Sequence, residues 1–169
     1  MALLVAALVL SLVLGAGFLV IDNRSGDMVG AQSDLTDAQA AAAVVDAAKQ
    51  IVTVAQLGDV SGGYSFVSCR NVNEPPYQVA MYMNFRIPQS DSVKYLQAMS
   101  AAMVANGWSN APSMAEHFGY KLTRNGVTAM FYRDPTDAAV GNMRLYGECR
   151  VATDHRNDNP VWMEVTQLG

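Results

Sequence analysis

The ten residues QVAMYMNFRI, Gln78 to Ile87, decide the fold class. Val79, Met81, Met83 and Phe85 alternate with Ala80, Tyr82, Asn84 and Arg86. A period of two belongs to a β-strand with an apolar face and a more polar one. Pro88 ends the run, because proline has no N–H to give a ladder. The rest of the chain can be placed outward from this strand.

Toward the N-terminus, Arg70 to Pro76 reads as a loop, since Pro75-Pro76 forbids regular pairing. Before it, Tyr64, Phe66 and Ser68 alternate with Ser65, Val67 and Cys69, a strand ending at the thiol. Gly58, Gly62 and Gly63 form a helix-to-strand link. A phosphate-cradling loop runs strand-to-helix, so this one is discounted. Ala38 to Leu57 has no internal glycine or proline and places Val44, Val45, Ala48, Ile51, Val52 and Ala55 on one helical face. Thr36 and Gln39 have the spacing of a capping box, and Gly58 is the expected stop.

Toward the C-terminus, Ser90 or Asp91 opens a second helix running to about Asn106. Its expected inward stripe is Val93, Leu96, Met99, Met103 and Val104, with Gly107 as the left-handed stop and Trp108 folding back over the end. After the loop from Asn110 to His117, Phe118–Thr123 and Val127–Arg133 flank Arg124-Asn125-Gly126. Asn-Gly between alternating runs is a type I′ hairpin signal. Asp134 to Gly141 is a polar turn. Asn142 to Val151 is a strand with Met143, Leu145, Gly147, Cys149 and Val151 inward, and a short strand from Val161 to Thr166 closes the chain. The order α-β-β-α-β-β-β-β predicts an α+β fold, a single domain with a mostly antiparallel sheet and two helices packed on one face.

In front of this domain lies an uncharged run, Ala2 to Ile21, whose one polar side chain is Ser11. As a helix it spans about 30 Å, one hydrocarbon core. The expected organisation is therefore a transmembrane anchor or uncleaved signal at 1–21, a tether at 22–37 and an extracytoplasmic domain at 38–169. A cleaved signal peptide has a basic n-region and a shorter apolar core, and Phe18 to Ile21 continue past the Gly15-Ala16-Gly17 that a peptidase would use. Retention as a single-pass helix is preferred, with secretion as the outcome if the segment is removed. Leu14-Gly15-Ala16 begins like a lipobox, but Gly17 stands where the lipidated cysteine belongs. Arg24 is a poor guide to orientation. The domain is placed outside by its cysteine pair and its low-charge, Asn-rich surface.

All 11 basic and 15 acidic residues follow Ile21, so the net charge of −4 belongs to the soluble part. That argues against nucleic acid and against a polybasic grip on anionic lipid. Two cysteines in a small domain outside the cytosol favour a disulfide, Cys69 to Cys149, whereas in the cytosol they would be free thiols. In the chain-entropy account such a bridge contributes about 4–5 kcal/mol.

Candidates for catalysis or cofactor binding are sparse, and no catalytic, metal or cofactor residue is assigned. His117 and His155 sit in separate loops, and Asp154, His155 and Asp158 lack the order of a calcium loop, reading instead as a solvated turn. Asp134 and Asp137 flank Pro135-Thr136 as turn formers. No G-x-S-x-G elbow occurs. Met81, Met83, Met99, Met103, Met130 and Met143 fall on expected core faces, where they either pack or line an adaptable apolar pocket. Tyr82, Arg86, Tyr132, Arg144, Tyr146 and Arg150 share the opposite phase of their strands. If uncovered, that face has the Tyr/Arg chemistry of a protein interface; the plain alternative is an ordinary wet sheet face.

Ser68-Cys69-Arg70-Asn71, Glu74-Pro75-Pro76-Tyr77-Gln78 and Gly147-Glu148-Cys149-Arg150, in the domain from about Asp46 to Leu168, resemble the small membrane-anchored or lipoprotein-like envelope proteins of actinobacteria. The resemblance implies an extracytoplasmic α+β domain with a cysteine bridge and carries over no active site. The expected function is non-enzymatic: a membrane-tethered domain that binds another envelope component, a protein, through its sheet face. The alternative is a carrier of lipid or another apolar ligand in a Met-lined pocket.

Overall fold

Thr36 opens the first helix by the reciprocal contacts its spacing predicts. Its hydroxyl accepts from the Gln39 backbone N–H at 3.2 Å, and the Gln39 side chain accepts from the Thr36 N–H at 3.0 Å. The computed structural model describes residues 34–70, 73–112 and 119–169. The expected anchor, most of the expected tether, Asn71, His117 and Phe118 lie outside the described residues. Among the described residues no helix is long and apolar enough to cross a membrane.

Helix α1 spans Asp37–Ala55 and buries Ala40, Val44, Ala48, Ile51 and Val52. It stops before Gly58. Gln56 adopts the left-handed conformation (φ 50°), and the N–H of the buried Leu57 donates to Val52 O at 3.0 Å. Gly58 is then the first residue of strand β1, Gly58–Ser68, which starts six residues earlier than its alternation suggests. Gly62 and Gly63 are strand residues because no side chain fits there. A Cβ on Gly62 would lie 2.5 Å from Tyr82 O, and one on Gly63 would lie 2.6 Å from the Trp162 ring. Glycine inside a strand marks such close approach.

Strand β2, Tyr77–Arg86, is the stretch from which the fold was read, and Val79, Met81, Met83 and Phe85 are buried as expected. Helix α2, Ser92–Ala105, follows with Asp91 at its N-cap, without a side-chain cap bond. Its buried stripe is Ser92, Leu96, Met99, Ser100 and Met103. Val93 and Val104, expected inward, are 67% and 43% exposed, because the helix sits rotated toward its serines. Gly107 takes the left-handed stop (φ 90°), and Trp108 folds back with its Nε1–H donating to Gln50 on α1 at 2.7 Å.

The remaining strands are β3 (Ser109–Asn110), β4 (Tyr120–Arg124), β5 (Val127–Arg133), β6 (Val140–Tyr146) and β7 (Met163–Glu164). The two-residue β3 lies where a loop was expected, and β7 keeps two residues of the expected Val161–Thr166. Asn125 (φ 48°) and Gly126 (φ 77°) form the tight β4–β5 turn. The sheet order is β3-β4-β5-β6-β2-β1-β7, and all named pairs are antiparallel.

Both helices cover the face that carries Met81, Met83, Leu122, Ala129, Phe131, Met143 and Leu145, all at most 1% exposed. Met130 does not join them. It sits on the opposite phase of β5, between the buried Ala129 and Phe131, and is half-buried on the other face. Strand β6 ends at Tyr146, and Cys149 is exposed rather than an inward strand residue. The chain bends there: Gly147 N–H still donates to Val79 O, and Val151 rejoins β2 by a two-way pair with Tyr77. The bend turns Cys149 outward to bond Cys69, 80 residues away in sequence. Leu35 also pairs with Val151, so the domain's contacts begin before α1.

Candidate interaction face

The sheet face away from the helices is built by the residues left over from the core pattern. Strand register sets Gly63, Tyr82, Arg144, Met130 and Lys121 in one row across five strands' worth of neighbours: Gly63 opposite Tyr82, Tyr82 opposite Arg144, Arg144 opposite Met130, Met130 opposite Lys121. Side chains directly opposite one another on antiparallel strands are close enough to interact. The gap over Gly63 is filled by Trp162, whose ring lies 6.1 Å from that of Tyr82 at 43°. The Arg144 guanidinium carbon sits 5.4 Å from the Tyr82 ring centroid, a cation–π contact. Tyr146 follows Arg144 by two residues on β6, and Tyr132 lies opposite Asn142, two residues before it.

Four of the six residues singled out from sequence therefore come together: Tyr82, Tyr132, Arg144 and Tyr146. Arg86 shares their face but stands at the end of β2, held by Asp59 at 2.6 Å. Arg150 lies past the end of β6 and bonds Glu148 at 2.7 Å. Trp162 is the member the pattern missed, at 45% exposure beside Tyr82 at 39%. The signal available for it was the Gly62-Gly63 pair, which marks a place where a bulky group lies on the strand.

Arg144 carries the electrostatics of this face. Among the described residues it has no carboxylate within ion-pair distance. Partial desolvation alone would lower its pKa, but the oxygens of Tyr132, Tyr146 and Tyr82 together hold it above the ordinary arginine value. The Tyr146 hydroxyl is raised, first by desolvation and then by Tyr82 beside it, with Arg144 opposing. The Tyr146 hydroxyl is thus neutral at neutral pH and leaves the guanidinium charge uncompensated.

A second cluster surrounds His155. It was expected in a solvated turn, yet its side chain is only 5% exposed. The imidazole stacks on Phe66 (centroids 3.8 Å, planes 2° apart) and meets Tyr77 edge-on at 5.2 Å. Nδ1 hydrogen-bonds Asp158 at 2.8 Å, and Nε2 faces Asp37 of α1 at 3.6 Å without a hydrogen bond. The Tyr77 hydroxyl donates to Asn73 O at 2.9 Å, with Asp154 at 3.3 Å. These partners come from α1, β1, β2 and the C-terminal loop, so the cluster works as a rivet. Among the described residues no three metal-ligating side chains converge. Asp134 and Asp137 do form a turn: Asp134 Oδ1 accepts from Thr136 N, Thr136 Oγ1 and Asp137 N.

The methionines pack. Met81, Met83, Met103 and Met143 are at most 1% exposed, inside one continuous core. Between the helices lies a cleft of about 190 Å³ lined by Val54, Ala55, Tyr95, Ala98, Met99 and Ala102. Sites for drug-sized ligands are roughly 300–1,000 Å³.

With this geometry in place, comparison with known proteins bears out the resemblance read from the cysteine-flanking motifs. A family profile described as "Putative lipoprotein LppJ" matches residues 36–168. A protein of that name from Mycobacterium tuberculosis (strain CDC 1551 / Oshkosh) is 39% identical over 170 residues, covering 98% of this chain and 90% of its own. One from Mycobacterium bovis (strain ATCC BAA-935 / AF2122/97) is 44% identical over 135 residues, covering 79% of this chain and 71% of its own. No solved structure matches.

Proposed function

We propose that this chain, which belongs to the family described as "Putative lipoprotein LppJ", is a non-enzymatic domain tethered at the outer side of a cell membrane, where it binds another envelope protein through its open sheet face. The observation that carries the reading is the exposed row of Trp162, Tyr82 and Arg144, a Trp/Tyr/Arg set of the kind that dominates binding energy at protein interfaces. The Cys69–Cys149 bond supports an oxidising compartment. The relatives' name speaks of a lipoprotein. In these 169 residues both cysteines are bonded to each other and Gly17 occupies the lipobox position, so the apolar run at 2–21 is the candidate anchor.

In-cell crosslinking followed by identification of the captured protein tests the face. The Tyr82→Ala/Arg144→Ala double variant is expected to lose that capture while folding normally; retention of every partner would sink the proposal. The anchor is tested separately: an intact mass including residues 2–21 and resistance to alkaline carbonate are expected of membrane-fraction protein. The second reading, a carrier of lipid or another apolar ligand in a Met-lined pocket, points to the 190 Å³ cleft between the helices, which Met99 lines; the larger hollow of about 450 Å³ at the start of α1 has no methionine in its lining. Native mass spectrometry of freshly purified protein decides it: an adduct supports the carrier, a bare mass the sheet-face reading.

A further inference from the structure

Arg144 stands at the centre of the open face, over the Tyr82 ring and among neighbours that do not neutralise its charge. We infer that the occupant of this face presents a carboxylate to Arg144, from an acidic segment of the partner protein; the inference rests on the function proposed above and names what the partner must bring.

Arg86, Arg150 and Arg156 each meet a carboxylate of this chain, Asp59, Glu148 and Asp154, at 2.6 to 2.7 Å. Arg70, Arg124 and Arg133, like Arg144, are in no ion pair among the described residues, but they lie off the central row of the open face. Arg144 meets three tyrosines instead, with Tyr82 beneath it and Met130 opposite it on β5. Its guanidinium carbon lies over the Tyr82 ring, a contact that restricts the side chain before anything binds. A planar fork held in place and lacking an acid is complementary to a carboxylate, which accepts two parallel N–H bonds. The tyrosine hydroxyls can donate to the same anion.

The surroundings select the source. Anionic lipid surfaces are gripped by several clustered cations acting together, whereas here Arg86 is held by Asp59 and Lys121 stands two strands from Arg144 across Met130, in a chain of net charge −4. Trp162 and Tyr82 beside it offer ring surface at 45% and 39% exposure, suited to the apolar side chains that flank an acidic residue in a peptide. Complementary charge at such a centre governs which partner is accepted as well as how fast it arrives.

The test uses the full chain in intact cells and two probes. Arg144→Lys puts a primary amine at the same place, so a zero-length carbodiimide can join it only to a carboxylate in direct contact. Separately, a photo-reactive phenylalanine analogue at Thr128, opposite Tyr146, reports any occupant of the face. The expected result is a photo-crosslinked protein whose Asp, Glu or terminal carboxylate is also coupled through the introduced amine. Arg144→Gln should lower its recovery about tenfold or more, and Trp162→Ala should lower it without changing the coupled residue. A photo-captured protein with no coupling through position 144, or unchanged recovery with Arg144→Gln, overturns the carboxylate and leaves the face reading standing. A captured glycan or lipid, or no capture by either probe, overturns both. Circular dichroism and thermal melting of each variant separate loss of binding from loss of folding.

Discussion

At the residue scale, His155 shows how far a side chain's role depends on neighbours the local sequence does not contain. Asp154, His155 and Asp158 look like a polar turn because their immediate neighbours are polar. The residues that bury the ring, Phe66 and Tyr77, and the carboxylate facing Nε2, Asp37, arrive from three distant elements. Truncating a stacked, buried ring leaves a cavity and an unpaired Asp158. His155→Ala should therefore destabilise the domain by about 2–4 kcal/mol in urea denaturation at neutral pH, without altering the open face. The acidic turns predict a pH dependence with a defined sign. Hydrogen bonds from Arg156 hold Asp154 down to about 2, and bonds from Thr136 and Asn142 hold Asp134 below the usual carboxylate range. A lowered folded-state value contributes stability that is fully present above the unfolded value, near pH 4, and is lost as the pH falls through the folded value. Melting temperature should thus fall on acidification from about pH 4 toward pH 2, and Asp134→Asn with Asp154→Asn should flatten that part of the profile.

At the element scale, the parts legible in sequence are those whose signal is local. The capping box of Thr36 and Gln39, the alternation of β2 and the Asn125-Gly126 turn each satisfy their own backbone and need no distant partner. Strand β1 was cut short because its first half is held by cross-strand pairing and not by side-chain pattern, and its glycines read as a link. The same lack of pattern hid β3 and shortened β7. Gly63 makes the dependence testable. An added methyl there would lie 2.5 Å from Met163 O and 2.6 Å from the Trp162 ring, so β7 or the indole must move. Gly63→Ala should cost about 1–3 kcal/mol. It should also red-shift tryptophan emission and speed amide exchange at residues 162–165, while the β4–β5 hairpin stays protected.

At the scale of the whole molecule, an α+β fold with two helices on one sheet face was readable from the alternation of periods, whereas the strand order was not. Nothing in the chain order places β6 beside β2, or β7 outside β1; core complementarity between Met83 and Met143, and between Met81 and Leu145, brings β6 to β2, and β7 pairs with β1 at Gly63 and Tyr64. The disulfide spans that long-range arrangement. With its cysteines 80 positions apart in sequence, replacing both by alanine should cost about 4–5 kcal/mol in the chain-entropy account, read as a lower denaturation midpoint that reductant does not shift further. The same bond has a mechanical meaning. A pull applied through the N-terminal side reaches the sheet at Leu35, paired with Val151 two residues beyond Cys149. Tension carried from there to the C-terminal end passes across sulfur, and the chain between Cys69 and Cys149 is bypassed. Under a pull between the two ends, roughly 270 Å of chain stays unextended for as long as the bond is intact, so the segment that carries β2, β5 and β6 is taken out of the load path.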